Sequence, residues 1–129
     1  MVTDPYEYLG RPSLVMTGFD TTLEVSIQDA QARFPNRAHC VVSEWIWVDF
    51  QGSPLLVEGL ALQGVTPSVL VAVNVLHDSQ DRFRAGRGIR TSLLVRYERP
   101  GYFVTRNTVY LMLGTGRRVR LPYRGEYLI

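Results

Sequence analysis

Lysine is absent from this chain, and the scarcity of several other features narrows the classes of protein that it fits. All fourteen basic residues among the 129 are arginines. Cys40 is the single cysteine, so no disulfide forms within the chain and a reducing compartment is favoured. No apolar run reaches the roughly 18 residues that a membrane-spanning helix needs, and the N-terminus lacks the basic start and apolar core of a secretion signal. We therefore expect a cytoplasmic protein that does not bind a membrane.

The residues that are present describe an ordinary globular domain. Apolar residues make up 46% of the chain and charged residues 20%, a balance that argues against disorder. The length of 129 residues lies within the range of about 100–150 that is common for single domains. We predict a single domain that spans residues 1–129.

The charges are unevenly distributed along the chain. Residues 1–77 carry three arginines and eight acidic residues, a balance of −5, and residues 78–81 add two aspartates. Residues 82–129 carry eleven arginines and two acidic residues, a balance of +9. A basic C-terminal part beside an acidic N-terminal part is one pattern of an anion-binding surface. The alternative is that the two parts pair with each other.

Two short helices are predicted from their capping residues. The first covers residues 27–34, with Ser26 as its N-cap. The second follows Ser53, which is its N-cap, and it has Pro54 at its first position and Gly64 just beyond its end. Both helices carry enough apolar residues to pack on a sheet.

Alternating β-branched and aromatic residues predict the strands of that sheet. They lie at residues 39–50, 68–77, 89–98, 102–113 and 117–122, and a shorter apolar run at 14–16 fits an edge strand. Turns at residues 99–101 and 114–116 are expected to join the last three strands into an antiparallel meander. The predicted fold is therefore α+β: an antiparallel sheet of about five strands with a C-terminal meander and two short helices on one face.

No arrangement of residues predicts catalysis. Residues 114–116 (Gly-Thr-Gly) begin a phosphate-loop pattern, but Val119 stands where its third glycine belongs, and a strand follows instead of a helix. His39 and Cys40 are neighbours on a strand and point to opposite faces, which argues against a nucleophilic pair. The histidines and acidic residues do not have metal-ligand spacing. We expect no enzyme, no cofactor and no metal site.

The aromatic residues leave three interpretations open. Trp45 and Trp47 share one face of the strand at residues 39–50. Aromatic side chains interleaved with arginines suit stacking on single-stranded nucleic acid. They equally suit a protein interface, in which tryptophan, tyrosine and arginine carry most of the binding energy. The third interpretation is cross-strand packing inside the sheet.

Arginine parity suggests a basic stripe. Because side chains alternate along a strand, Arg118 and Arg120 lie on the face opposite to Arg117. For the same reason, Arg90 and Arg96 lie on one face of their own predicted strand. If these strands lie in register, their arginines form a stripe across the meander. The candidate partner-binding residues are Arg84, Arg87, Arg90, Arg96, Arg118, Arg120, Asp78, Asp81, Trp45 and Trp47. Among them, Arg84 and Arg87 lie in a glycine-bearing loop that is a candidate anion site, the alternative being a merely flexible loop.

Three short motifs in the second half of the chain carry a resemblance. They are Asp78-Ser79, Arg90-Thr91-Ser92, and TRNTVY at residues 105–110 ahead of Gly114-x-Gly116. Through them, over residues 40–118, the chain resembles a small uncharacterised domain family of bacteriophages and prophages. The resemblance implies a phage or prophage origin and brings no assigned catalytic residue.

Small phage proteins are often inhibitors of host machinery, including CRISPR and other defence systems. The implied phage or prophage origin, together with the absence of a catalytic arrangement, predicts a stoichiometric binding protein in the cytoplasm of a bacterial host. Its expected action is to inhibit or modulate a host protein or protein complex. The alternative function is a nucleic-acid-binding accessory protein that uses the arginine stripe.

Overall fold

The computed structural model describes residues 12–125, which form a mixed sheet with two helices packed on it. The helices are α1 (Leu23–Arg33) and α2 (Pro54–Leu62). The strands are β1 (Ser13–Thr17), β2 (Ala38–Gln51), β3 (Ser68–Asp78), β4 (Ile89–Arg90), β5 (Arg96–Glu98), β6 (Tyr102–Val104), β7 (Thr108–Met112) and β8 (Thr115–Pro122). Neither helix within this range is long and apolar enough to cross a bilayer.

The long strand β2 organises the sheet. It is antiparallel to β3 along one side, and along the other side it runs parallel first to β7 and then to β8. Beyond these neighbours, β4 extends the sheet from β3, β6 and β5 extend it from β7, and β1 extends it from β8. The predicted α+β class is confirmed. The sheet, however, is mixed instead of wholly antiparallel, because β2 has two parallel neighbours.

The strand count exceeds five because two predicted strands are each divided. Residues 89–98 form β4 and β5, which lie at different places in the sheet. Residues 102–113 contain a turn, in which the Thr105 N–H and hydroxyl both donate to the Thr108 carbonyl, at 2.9 and 3.0 Å. This turn folds β6 back on β7, so the antiparallel meander exists but consists of β5, β6 and β7.

The predicted hairpin turn at residues 114–116 is wrong. Since β7 and β8 both run parallel to β2, the chain keeps its direction there. Val42 pairs with Met112, so the residue numbers of the two partners differ by 70, whereas Ile46 pairs with Arg117 and the difference is 71. The extra residue makes a β-bulge, and the positive φ of Gly114, +74°, suits it.

One of the two predicted N-caps is confirmed and the other is wrong. Ser53 caps α2 as predicted, because its hydroxyl accepts the Leu56 N–H at 3.2 Å. The N-cap of α1 is Thr22 instead of Ser26, so this helix begins earlier than predicted. Ser26 lies inside the helix and donates its hydroxyl to the Leu23 carbonyl at 2.7 Å.

The two faces of the sheet bury different cores. On one face, which we call the helix face, α1 packs on a cluster around Val41, and α2 packs on a cluster around Val48. The opposite face, which we call the tryptophan face, buries Trp45 and Trp47 together with apolar residues of β3, β6 and β7. Glu44 lies between Val41 and Trp45 and has a φ of +50°. This irregular residue interrupts the alternation of β2 side chains between the two faces of the sheet.

Candidate functional site

The two tryptophans that the sequence suggested as partner-binding residues both lie in the core. Trp45 is 1% exposed, and its indole N–H donates to the Leu113 carbonyl at 3.1 Å. Trp47 is 3% exposed and makes edge-to-face contacts with Tyr97 and Phe103. Of the three interpretations of these aromatics, the structure therefore agrees with packing inside the sheet.

The predicted arginine stripe does not form, because its members lie on different faces. Arg90 is opposite Val71 and Arg96 is opposite Val104, and both valines belong to the helix-face cores. Arg118 instead lies over the indole ring of Trp47, at 4.3 Å from its centre. In addition, β8 pairs with β1 and β2 and with neither β4 nor β5.

The loop after β3 carries the exposed residues Asp81, Arg84 and Arg87. Its backbone is tied to β3, since the Val75 carbonyl accepts the Gly86 N–H at 2.9 Å and the Val75 N–H donates to the Arg87 carbonyl at 3.0 Å. This attachment gives the loop a defined course along β3. Partner binding by these three residues stays a prediction.

Asp78 is a buried structural residue. Its side chain has no exposed surface and forms an ion pair with Arg82, at 3.0 Å between Oδ1 and Nη2. Arg82 also donates its backbone N–H to Oδ2 at 2.7 Å and reaches the Thr108 hydroxyl at 3.0 Å. Burial alone would raise the pKa of Asp78, but the hydrogen bonds from Arg82 outweigh it and lower this pKa overall. The pair ties the end of β3 to β7.

His39 and Cys40 are also buried, at 6% and 0% exposure. Burial, assisted by Asp78, raises the pKa of the Cys40 thiol to about 12, so the thiol stays protonated at neutral pH. Burial and the neighbouring His77 imidazole, 5.7 Å away between ring centres, lower the pKa of His39. Within residues 12–125, no group of three or more His, Cys, Asp or Glu side chains is arranged to hold a metal ion.

The buried imidazole is expected to make the fold sensitive to acid. Unfolded His39 has its ordinary pKa of 6.5 and the folded form has a lower one, so between these values the unfolded chain binds more protons. The free energy of unfolding is therefore expected to fall as the pH is lowered through this window. Urea unfolding measured at several pH values checks this, and His39→Gln is expected to flatten the dependence of the unfolding free energy on pH just below pH 6.5. An unchanged slope in that variant would contradict the assignment to His39.

β1 is an edge strand, as predicted for the apolar run at residues 14–16. Within the part of the chain that the structure describes, it pairs with β8 on one side and with no strand on the other. Leu14 and Val15, on opposite faces, are 72% and 68% exposed. Proteins usually protect such an edge, since its free backbone groups are a template for another chain. An apolar edge with which no other described strand pairs is therefore a candidate contact surface.

Three arginines of β8 line this edge. Arg117 lies on the helix face and donates to the Ser13 hydroxyl at 2.9 Å. Arg118 and Arg120 lie on the tryptophan face, opposite to the buried Val119, as their parity predicts. We call β1 together with Arg117, Arg118 and Arg120 the β1 edge surface.

Arg118 is held in place by a hydrogen-bonded network. Its Nε donates to Asp49 Oδ2 at 2.6 Å while its guanidinium covers Trp47. Asp49 Oδ1 also accepts the Ser68 hydroxyl at 2.6 Å and the Trp47 indole N–H at 2.9 Å. Burial alone would raise the pKa of Asp49, but these hydrogen bonds outweigh it and lower this pKa. Asp49 thus offsets one of the three arginine charges.

Two open clefts border β1. One, of about 370 Å³, is lined by Leu14, Arg118 and Arg120 among others. The second, of about 410 Å³, is lined by Met16 and Arg99 among others. Both lie beside the edge strand and have an arginine in their lining, so they offer space for side chains of a bound partner.

Sequence reasoning found Arg118 and Arg120 but missed the surface to which they belong. The exposed apolar run of β1 was visible as an edge-strand signal. What links it to the arginines is the pairing of β1 with β8, two segments about a hundred residues apart. Arg117 was missed as well, because it faces away from the other two.

Fold and site together describe a small α+β domain with an apolar edge strand flanked by arginines. The family model described as "Domain of unknown function (DUF6957)" matches residues 17–125, and the chain belongs to this family. Most of β1 precedes the matched segment, whereas all the other elements lie within it. Searches of the curated proteins and of the solved structures gave no match.

Proposed function

We propose that this protein is a stoichiometric binding protein that engages a partner protein through its β1 edge surface, without chemical turnover. The observation that carries the proposal is the exposure of Leu14 and Val15 on an edge strand whose neighbour presents three arginines. Protein interfaces combine an apolar centre with a polar rim, and arginine is enriched in them. The β1 edge surface has this composition.

The partner that we propose is a protein or protein complex of a bacterial host, which the binding inhibits or modulates. This part of the proposal rests on the resemblance to phage and prophage domains. A defence complex of the host fits a small inhibitor that acts by occupying a surface. The occupied surface would carry acidic residues, because Arg117 and Arg120 form no ion pair with an acidic residue in the described part of the chain, whereas Asp49 offsets Arg118.

Nucleic-acid binding is the weaker candidate. A protein that tracks a phosphate backbone needs a continuous basic groove, usually with exposed aromatic side chains for stacking. Here the arginines are divided between the two faces of the sheet, and both tryptophans are buried.

Reversing the charges of Arg117 and Arg120 together is expected to reduce partner recovery about tenfold or more, because both guanidinium groups then repel acidic partner residues. Tagged protein is used to capture partners from host lysate, and recovery is quantified by mass spectrometry. The matched control is the reversal of Arg84 and Arg87, which changes the net charge equally on the exposed loop beside β3. Arg118 is left unchanged because of its structural contacts with Asp49 and Trp47.

The control variant separates local from general charge effects. If both double variants lose the partner equally, overall charge and not the β1 edge surface determines binding. If only the Arg84 and Arg87 variant loses it, the site lies on the loop. A wild-type gel shift of single-stranded DNA that weakens steeply with salt would instead support the nucleic-acid function, since neutralised phosphates release counterions.

A further inference from the structure

The hydrogen-bonding pattern of β1 identifies which of its backbone groups point away from β8, toward the side on which no strand of residues 12–125 pairs with it. The Gly18 N–H donates to the Gly114 carbonyl at 2.8 Å, in the same register that pairs Met16 with Gly116. Because backbone groups alternate in direction along a strand, the N–H groups of even-numbered β1 residues point to β8. Those of Ser13, Val15 and Thr17 therefore point away from the sheet.

The opposite side of β8 gives an independent check of this pattern. The Tyr123 N–H donates to the Gln51 carbonyl of β2 at 2.9 Å, so odd-numbered residues at this end of the chain point to β2. Even-numbered residues of β8 must then point to β1, which matches the Met16–Gly116 register. Both observations leave the outer edge of β1 with regularly spaced donors and acceptors.

Charge indicates the chemistry of the segment that fits this edge. Arg117 flanks β1 on the helix face, and Arg118 and Arg120 flank it on the tryptophan face. Asp49 offsets one of these three charges, and the other two arginines of β8 form no ion pair with an acidic residue among residues 12–125. A segment with acidic side chains is attracted from both faces, whereas a basic segment is repelled.

The same charges argue against a second copy of this chain as the occupant. Pairing of two β1 strands would bring the arginines of both copies to the same junction, with only one Asp49 from each copy to offset them. Like charges that face each other across an interface are unfavourable. An acidic segment of a different protein avoids this repulsion.

We propose that the β1 edge surface binds an extended acidic peptide segment of its partner by strand addition, so that the segment becomes the next strand beyond β1. The inference rests on the proposed function and adds the binding mode and the partner chemistry. In this mode, main-chain hydrogen bonds supply affinity and alternate side chains supply specificity. Val15 is central, since its N–H lies in the middle of the three outward donors.

Two synthetic peptides test the charge preference directly. Each is labelled with a fluorophore and has a short centre of alternating threonine and valine, flanked by glutamates in one peptide and by lysines in the other. Fluorescence anisotropy with the full chain is expected to show about tenfold or more tighter binding of the glutamate peptide, weakening with added salt. Equal binding of the two peptides would overturn the acidic preference.

Val15→Pro tests strand addition itself. Proline removes the outward N–H of residue 15 but none that donates to β8, and edge strands tolerate proline where the N–H faces solvent. The variant is expected to stay folded and to bind the glutamate peptide about tenfold or more weakly, because it lacks a backbone donor and its ring obstructs pairing. Val15→Thr is the matched control, since it keeps the N–H and the β-branched shape.

The outcomes separate this inference from the proposed function. If Val15→Pro binds the peptide as well as Val15→Thr does, strand addition is wrong. If the glutamate peptide does not bind the folded wild-type chain, strand addition by an acidic segment is wrong, while charge reversal still tests the surface with the whole partner. Dimers of the wild-type chain that Val15→Pro abolishes would identify a second copy as the occupant and overturn the proposal. A Val15→Pro chain that does not fold, judged by circular dichroism, would contradict the assigned hydrogen-bonding pattern.

Discussion

Replacing Gly116 with alanine is expected to lower the free energy of unfolding by about 1–3 kcal/mol, and replacement with valine by more. An added Cβ would lie under 3.0 Å from the indole ring of Trp45 and from the carbonyl oxygen of the same residue. Trp45 has little freedom to move away, since it is 1% exposed and its indole N–H is bonded to the Leu113 carbonyl. The clash must therefore displace β8 or distort the core of the tryptophan face.

Gly59→Ala is the matched control, because it makes the same chemical change in open space. No atom lies within 4 Å of the Cβ that would be added at Gly59, which is exposed inside α2. Alanine is favoured over glycine in helices by about 1 kcal/mol, so this variant is expected to be more stable than the wild type. Urea unfolding curves of the two variants should shift in opposite directions. Similar midpoints for Gly116→Ala and the wild type would show that the fit of Trp45 is not rigid.

The features predicted correctly from the sequence are those that depend on neighbouring residues, namely a helix start and the extent of the long strands. Ser53 and Pro54 mark the start of α2, because the cap and the first helical position act within one turn. The strands β2 and β3 are almost coextensive with their predicted ranges, since long apolar β-branched runs have few other stable conformations. Arg118 and Arg120 were placed together correctly because β8 is a regular strand.

Pairing between distant segments was not predictable from such signals. Glycines suit a hairpin turn and a bulge equally, so residues 114–116 alone do not reveal that β8 continues beside β2. The positive φ of Glu44 is equally hidden, although it changes which side chains of β2 share a face. The arginine stripe failed for this reason, because it assumed that the strands carrying Arg96 and Arg118 are neighbours. The β1 edge surface could not be predicted either, because it depends on the pairing of β1 with the distant strand β8.

Replacing Arg82 with leucine is expected to destabilise the fold by about 3–5 kcal/mol at neutral pH, the cost of leaving a buried charge without its partner. With Arg82 in place the Asp78 side chain has no exposed surface, so its carboxylate depends on the guanidinium hydrogen bonds that compensate its burial, and these are lost when Arg82 is replaced. Asp78→Asn is expected to cost less, because the Arg82 side chain is 32% exposed and its guanidinium remains partly solvated. The double variant should recover part of the loss, since it buries no unpaired charge.

The exposed ion pair between Arg96 and Glu98 provides the control. It has a similar distance, 2.9 Å, but its side chains are 52% and 25% exposed, so Arg96→Leu is expected to cost only about 0–1 kcal/mol. Urea unfolding at neutral pH gives both values. Equal losses in Arg82→Leu and Arg96→Leu would show that burial of Asp78 does not determine the strength of its pair.

Acid provides a second test of the same pair. In the wild type, Asp78 has a lowered pKa and stabilises the fold above the ordinary value of 3.8, a contribution that is lost as the pH falls through the folded pKa. Without the Arg82 guanidinium, burial is the largest remaining influence, although the backbone N–H of residue 82 still donates to the carboxylate, so this pKa is expected to be higher than in the wild type. The variant therefore regains stability, relative to the wild type, as the carboxyl group binds a proton. The difference between Arg82→Leu and the wild type should therefore shrink on acidification. A difference that stays constant with pH would mean that Arg82 stabilises the fold through its contact with Thr108 and not through the charge of Asp78.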